Sequence, residues 1–353
     1  MKNLNKLKRI FLGVTFSLPL IVNGQDIHFS QFNETPVILN PALCGTAYDT
    51  RIVANYKNQW ASVTSPYQTY GISVEKALKH LKLKKAYLAM SLNIFNDKAG
   101  DAGLGTLQAN LGINAVIKVS SFSKLSAGIG GGILYRTINT SKLRWQSQYD
   151  GYNYNSTTAS GEVTPNGTML QADFVAGLNY HYAKSERYIS AQDGTKFDIG
   201  FSAFHFNSPK YSFVGSGDKQ FTKMIVHANF DIGIKGAGIG LVPSIIYMRQ
   251  GPSQEINAGF MFKYIIQDQS VYTGVKKPSA ISFGAFYRVG DAVIPSMLFQ
   301  YDKYALGISY DLNTSQLTSA SKSKGGLEIS LRFNTSPGYG RSLGKSINRK
   351  TYK

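Results

Sequence analysis

Five histidines (His28, His80, His181, His205 and His227) and one cysteine, Cys44, are the side chains of this 353-residue chain best suited to metal or nucleophilic chemistry. Their spacing supports neither. No pair of histidines falls in a HExxH arrangement or another metal-ligand spacing. Serines, histidines and aspartates are plentiful, but no GxSxG turn presents a nucleophile. There is no GxxxxGK[ST] phosphate loop, and the glycines of Gly128-Ile129-Gly130-Gly131-Gly132 fall inside an alternating strand pattern. A single cysteine makes neither an internal disulfide nor a cysteine-based metal site. The string Ala42-Leu43-Cys44 has a faint lipoprotein look but sits some twenty residues past the apparent signal, so Cys44 is read as an ordinary buried cysteine. The chain is therefore read as non-enzymatic, with no catalytic, metal or cofactor residues.

The residues suited to holding a partner fall in two places. Phe29, Phe32, Leu39 and Pro41 lie in a segment, 25–50, that Pro36, Pro41 and Gly45 make too irregular for a strand. Apolar groups of this kind need cover. The second place is 139–167, a polar stretch rich in Gly, Asn, Ser and Thr that also carries Trp145, Tyr149, Tyr152 and Tyr154. Rigid aromatic area on a loop is the kind that anchors interfaces. Packing of that loop over the rest of the molecule is the alternative.

The elements that must position these residues are strands. Alternation of period two dominates the chain. Leu107, Ala109, Leu111, Ile113, Ala115 and Ile117 share one face, with Thr106, Gln108, Asn110, Gly112 and Asn114 on the other. Similar runs lie at 125–135, 170–182 and 224–234. Shorter ones lie near 51–60, 68–75, 86–95, 197–206, 241–249, 255–264, 281–288, 292–301, 304–311 and 326–333. The total is about 14 strands, with 241–249 and 292–301 alternating poorly around Pro243 and Pro295. Twelve clean residues exceed an ordinary globular strand and fit a tilted membrane strand plus its rim. Trp60, Tyr135, Tyr182, Tyr264, Tyr310 and Phe333 end apolar faces, as interfacial girdles do. The reading is all-β: a transmembrane antiparallel β-barrel over 51–333 whose small, polar inward face leaves room for water, a plug or a partner segment. The 25–50 segment is then expected at the periplasmic mouth or inside the barrel.

Composition agrees. Charged residues make up 16% of the chain, Gly, Tyr and Phe are abundant, and mean hydropathy is −0.16. On composition alone a soluble β-sandwich stays open. Lys2, Lys6, Lys8 and Arg9 precede an apolar run from Ile10 to Val22, the layout of a cleavable signal peptide over 1–24 and too short to span a bilayer. Removing those four basic groups from 38 leaves 34 Lys and Arg against 20 Asp and Glu, a mature charge of +14. Residues 334–353 read as a basic C-terminal tail. The export signal argues against a nucleic-acid partner, and the basic residues look scattered along the chain rather than gathered on one element. Outer-membrane lipid headgroups are the better counterpart.

Certain strings carry a family resemblance. Phe29-Ser30-Gln31-Phe32, Pro36, Leu39-Asn40-Pro41-Ala42 and Gly45 resemble the opening of the PorP/SprF family, and Tyr56-Lys57-Asn58-Gln59-Trp60 its next strand. Asp173 to Gly177, Gly200 to Ala203 and Val242-Pro243-Ser244 are similar to shorter family strings. Gly307 to Asp311, Asn313, Ser315 and Gly326 to Leu331 resemble its close. The resemblance covers roughly 26–334. Cys44 departs from it where a small or polar residue is expected.

It implies an outer-membrane barrel of the type IX secretion system that assists export or surface anchoring of cargo proteins with a C-terminal sorting domain. Such cargo includes large adhesins, among them those of gliding motility. PorP-like members also imply a periplasmic peptidoglycan-binding partner. The family supplies no catalytic residues. Candidate partner-binding residues are Phe29, Phe32, Leu39, Asn40 and Pro41, with Trp145, Tyr149, Tyr152 and Tyr154. A passive porin or small-solute channel is the competing function.

Overall fold

The computed structural model describes residues 26–335 apart from 63–64, 84, 141–142, 163–166, 185–193, 214–216, 235, 269–275 and 317. The signal peptide read over 1–24 and all but the first two residues of the basic tail lie outside the described residues.

Alternation becomes fourteen strands: β1 (Thr50–Gln59), β2 (Tyr67–Leu83), β3 (Ala86–Ala99), β4 (Leu104–Lys118), β5 (Ser123–Thr137), β6 (Thr168–Lys184), β7 (Thr195–Phe204), β8 (Lys223–Ile234), β9 (Ile239–Gln250), β10 (Ser253–Gln267), β11 (Ser279–Arg288), β12 (Ala292–Tyr301), β13 (Tyr304–Asn313) and β14 (Lys324–Thr335). Each pairs antiparallel with its neighbours in sequence, and β1 also pairs with β14, from Thr50↔Thr335 to Gln59↔Gly326. The sheet is therefore a closed barrel with no free edge. Among the described residues no helix is long and apolar enough to cross a membrane.

The two faces of each strand fall as the alternation requires. Leu111 is 63% exposed on the outer wall, as are Ile113 and Ile117 to lesser degrees, while Gln108, Asn110 and Asn114 are buried in the lumen. Pro243 and Pro295 lie inside β9 and β12 and weaken the alternation without ending the strands. Pro243 is paired with Phe260 but not with β8, and Pro295 with Ala285 but not with β13. Each proline turns its donor-less nitrogen toward one neighbour and keeps its register with the other.

The rims differ. One is built from the connections 84–85, 119–122, 185–194, 235–238, 268–278 and 302–303, and β1 begins and β14 ends there. The tightest of these include the Gly236–Gly238 reversal, where both glycines adopt positive φ (73° and 61°) that a Cβ would oppose. The other rim carries the two longest connections, 138–167 and 205–222, together with 60–66, 100–103, 251–252, 289–291 and 314–323.

Replacing Leu111 by Arg puts a charge at mid-height on the apolar wall. We expect it to lower the stability of the barrel refolded into lipid vesicles by ~2–4 kcal/mol. Tyr152→Arg, outside the wall, should leave the same urea transition unmoved.

Candidate functional site: a filled lumen and an aromatic loop

A barrel of this strand number leaves an interior too wide for its own side chains to fill. Residues 26–49 fill it. The segment holds a 3-10 turn at Phe32–Glu34, a single helical turn at Pro36–Leu39 and a second 3-10 turn at Pro41–Leu43. Prolines open the second and third turns, at positions where a missing N–H costs nothing. The segment enters at the short-turn rim, where Asp49 N donates to Thr335 O at 2.9 Å. It then climbs the lumen to Asp26, whose N–H donates to Gln250 Oε1 at 3.0 Å, at the end of β9 on the long-loop rim.

The turns satisfy only part of so irregular a backbone, and the wall supplies further partners. Ser30 N and Gln31 N donate to the two carboxylate oxygens of Glu328 at 2.7 and 2.9 Å. Ser202 Oγ donates to Leu39 O at 2.7 Å. Asn114 Nδ2 donates to Ala42 O and Cys44 O at 2.8 and 2.7 Å, and Tyr87 OH to Gly45 O at 2.8 Å. Asn40, fully buried, spans the gap in both directions: its Nδ2 donates to Leu178 O at 3.0 Å and its Oδ1 accepts from Ala42 N at 2.8 Å.

Charged groups are matched as buried charges must be. Arg332 Nη1 donates to Glu34 at 2.7 Å. Arg288 Nη2 bridges Asp311 and Ser30 Oγ at 2.8 and 2.7 Å. Phe32 meets Phe286 edge-on at 5.5 Å and joins Leu39, Leu43, Ile225, Ile246 and Ile294 in an apolar cluster.

The lumen glycines follow from this contact. A Cβ on Gly128 would stand 2.7 Å from the backbone of Pro41 and Ala42, and one on Gly200 2.7 Å from Asn40 Nδ2. On Gly177 it would collide with Asn40 Oδ1, and on Gly307 with Gln31 Oε1. The small residues of the inner face make room for the chain's own N-terminal segment.

At the top of the lumen, His205 holds two carboxylates. Its Nε2 lies 2.6 Å from Asp26 and its Nδ1 2.7 Å from Asp173. Carboxylates only accept, so the ring must carry both protons. Burial pushes the His205 pKa down, but the bonds to Asp173 and Asp26 outweigh it and raise it to about 9. Burial pushes Asp26 up; the charge and hydrogen bond of His205 outweigh that and lower it to about 2. Cys44 is a free cysteine buried against the inner wall. Among the described residues no group of three or more His, Cys, Asp or Glu is placed to hold a metal ion.

The candidate partner residues divide cleanly. Phe29, Phe32, Leu39, Asn40 and Pro41 are buried inside the barrel, with the wall as their neighbour. Trp145, Tyr149, Tyr152 and Tyr154 stand beyond the long-loop rim. There the β5–β6 loop folds on itself, with Tyr149 and Tyr154 forming an antiparallel bridge. Tyr154 OH donates to Gln148 Oε1 at 3.0 Å, and Arg144 lies over the Tyr154 ring at 5.1 Å. Asp150 Oδ1 accepts from Tyr152 N and Asn153 N, and these bonds hold the carboxyl below its usual range. Tyr152 is left 90% exposed at the tip and Tyr149 55%. The loop is a structured knob presenting two tyrosines; Trp145 and Tyr154 are half-covered. The two sets of residues are not brought together. Sequence reasoning missed Asp26, Glu34, Arg288 and Glu328; for Arg288 and Glu328 the signal was there in charges standing in phase with the polar face of membrane strands.

The family pattern described as type IX secretion system membrane protein PorP/SprF matches residues 21–333. The chain belongs to the PorP/SprF family. No curated protein matches it in sequence. Among solved structures it is similar to BamA from Haemophilus ducreyi lacking POTRA domains 1–3 (9% identity, TM-score 0.43, covering 81% of this chain and 70% of that one). It is also similar to the translocator domain of the autotransporter NalP from Neisseria meningitidis (10%, 0.38, 94% and 96%). A third is the CymD monoaromatic hydrocarbon channel (10%, 0.39, 89% and 95%). At such values the likeness carries no argument. This PorP/SprF chain is thus a type IX secretion system membrane protein folded as a closed antiparallel β-barrel.

The His205 latch gives a signed pH dependence. A histidine whose pKa is raised on folding contributes stability that is fully present below about 6.5 and is lost as pH rises through about 9. Protection of the amides of residues 26–34, taken as the exchange rate relative to the intrinsic rate at each pH, should therefore fall between pH 7 and 10. His205→Gln should exchange fast throughout and lose that pH step.

Proposed function

We propose that this barrel is a closed anchor that holds exported cargo at the cell surface, and that it is not a conduit. The observation that carries the reading is the filling of the lumen from rim to rim by residues 26–49. A porin needs a wet path with charge along it. Here the inner face is spent on the chain's own segment, through bonds whose loss would strand buried charges at a cost of about 3–5 kcal/mol each. Outer-membrane barrels keep short turns on the periplasmic side and long loops outside. That rule puts the short-turn rim, where β1 begins and β14 ends, in the periplasm and the 138–167 knob at the surface.

The partner in this reading is cargo carrying a C-terminal sorting domain, as family membership suggests, with large adhesins of gliding motility as one case. Tyr149 and Tyr152 are the contact: two rigid aromatic faces on a loop already ordered by Gln148 and Asp150, so little entropy is lost on binding. A periplasmic peptidoglycan-binding partner would meet the other rim. The channel reading is disfavoured by the filled lumen.

Two measurements test this. In planar bilayers the refolded protein should show no steady conductance, and Gly177→Leu, which displaces Asn40, should show frequent openings; a steadily conducting native protein would restore the channel reading. In cells, deleting residues 145–157 should leave barrel assembly intact and release cargo into the medium. Cargo retained on the surface at native levels would place the contact elsewhere.

A further inference from the structure

One row of residues runs level across four neighbouring strands of the wall. Pro243 in β9 pairs with Phe260 in β10, Phe260 with Ala285 in β11, and Ala285 with Pro295 in β12. Each of these strands carries a proline or a glycine at the row or one residue from it: Pro243, Gly259, Gly284 and Pro295. A Cβ on Gly259 would collide with Ala285 O, and one on Gly284 with Phe260 O, so the neighbouring backbones leave room there only for glycine. At both edges of the row the ladder is interrupted. β8 and β9 pair at Asn229↔Ser244 and next at Ile232↔Leu241; β12 and β13 pair at Val293↔Leu312 and next at Ser296↔Ser309. The prolines have no N–H to offer across those edges. Ser296 Oγ covers one of the acceptors left there, Ile294 O, at 3.2 Å. A sheet bends most easily where it has the fewest rungs to lose.

The two halves of this β9–β12 panel are held differently. Toward the long-loop rim it is fastened to the 26–49 segment: Gln250 to Asp26, Arg288 to Ser30, and Ser244, one residue past Pro243, to Asn33. Toward the short-turn rim, 239–242, 260–267, 279–284 and 296–301 make no hydrogen bond or ion pair with that segment among the described residues; Lys263, for example, is engaged by Asp231 of β8. A cavity lies there instead, between Phe32 and Glu34 of the segment and Met261, Ser296 and Leu298 of the wall. Side chains that line a void have few partners to lose when they move. We infer that β9–β12 form a hinged panel, whose short-turn half swings about the row from Pro243 to Pro295 while its other half stays fastened to the segment. The motion changes the space beside Phe32 and Glu34 without unseating the segment from the lumen. The moving half carries the turns at 236–238 and 302–303, so a partner pressing on those turns would be felt beside the segment. The inference holds whichever cargo the barrel anchors.

The test is the distance between paired spin labels on the outer wall of the full chain refolded into lipid nanodiscs, in a Cys44→Ala background that removes the native free thiol. Labels at Ile113→Cys on β4 and Phe283→Cys on β11 span the barrel to the short-turn half of the panel. Ile113→Cys with Tyr287→Cys reaches the fastened half of the same strand. All three native side chains are exposed on the outer wall, so the labels replace no buried group. The Phe283 pair should give a distance distribution roughly twice as broad as the Tyr287 pair, the signature of a hinged element beside a fixed one. Pro243→Val combined with Pro295→Val, which supplies the missing donors, should narrow the Phe283 distribution to the Tyr287 width. The first comparison keeps both prolines, so it decides the matter even if the valine variant does not fold. Equal widths for the two pairs, whether both narrow or both broad, overturn the inference. So does a Phe283 distribution that stays broad in the folded valine variant, because the motion would then not turn on this row.

Discussion

Hydrocarbon offers no hydrogen bonds, and that constraint shapes everything else in this molecule. A strand in lipid is tolerable only if both its edges are paired, so β1 must find β14 across nearly the whole length of the chain. Closing the sheet solves the backbone's problem and creates another. Fourteen strands enclose a space that no set of inward side chains can fill, and an empty interior would leave Glu328 without the Ser30 and Gln31 N–H groups it accepts from. The 26–49 segment answers both needs: it occupies the volume, and its N–H groups and charges meet the carboxylates and carboxamides of the wall.

The strings that carry the family resemblance turn out to be the two sides of this one contact. Ser30 and Gln31 in the opening motif bond Glu328, Ser309 and Asp311 in the closing motifs. Lys57, in the strand motif, donates to His28 O and Ser30 Oγ. Asn33 reaches Ser244 of Val242-Pro243-Ser244. Asn40 and Pro41 lie against Gly128, Gly177 and Gly200, and Ser202 takes the Leu39 carbonyl. A set of short, separate motifs is thus a description of how a plug seats in its barrel.

Much of the architecture was legible in the sequence because a membrane strand has a strict period. Alternation such as Leu111 out, Asn110 in, marks a strand and its two environments at once, and even β9 and β12 survive their prolines. The plug was half legible. Phe29, Phe32 and Leu39 announce that they need cover, but Ser30 and Glu328 are separated by 298 residues, and no local pattern pairs them. The inward glycines were read correctly as making space, without a way to say for what. Loop 138–167 was harder, since the Gln148 and Asp150 bonds that order it come from side chains equally at home in a floppy loop.

The direction in which the plug runs constrains the order of assembly. The segment begins at the long-loop rim and ends at the other, where β1 starts, so the chain passes through the cylinder once before it begins to build the wall. If β1 zipped onto β14 first, residues 26–49 would have to enter a finished ring, carrying Asp26 and Glu34 with their hydration through a hole only as wide as the segment itself. Strands wound around a segment already in place would need no such passage; in that order the segment would be the mandrel of the barrel and the β1–β14 seam its last joint.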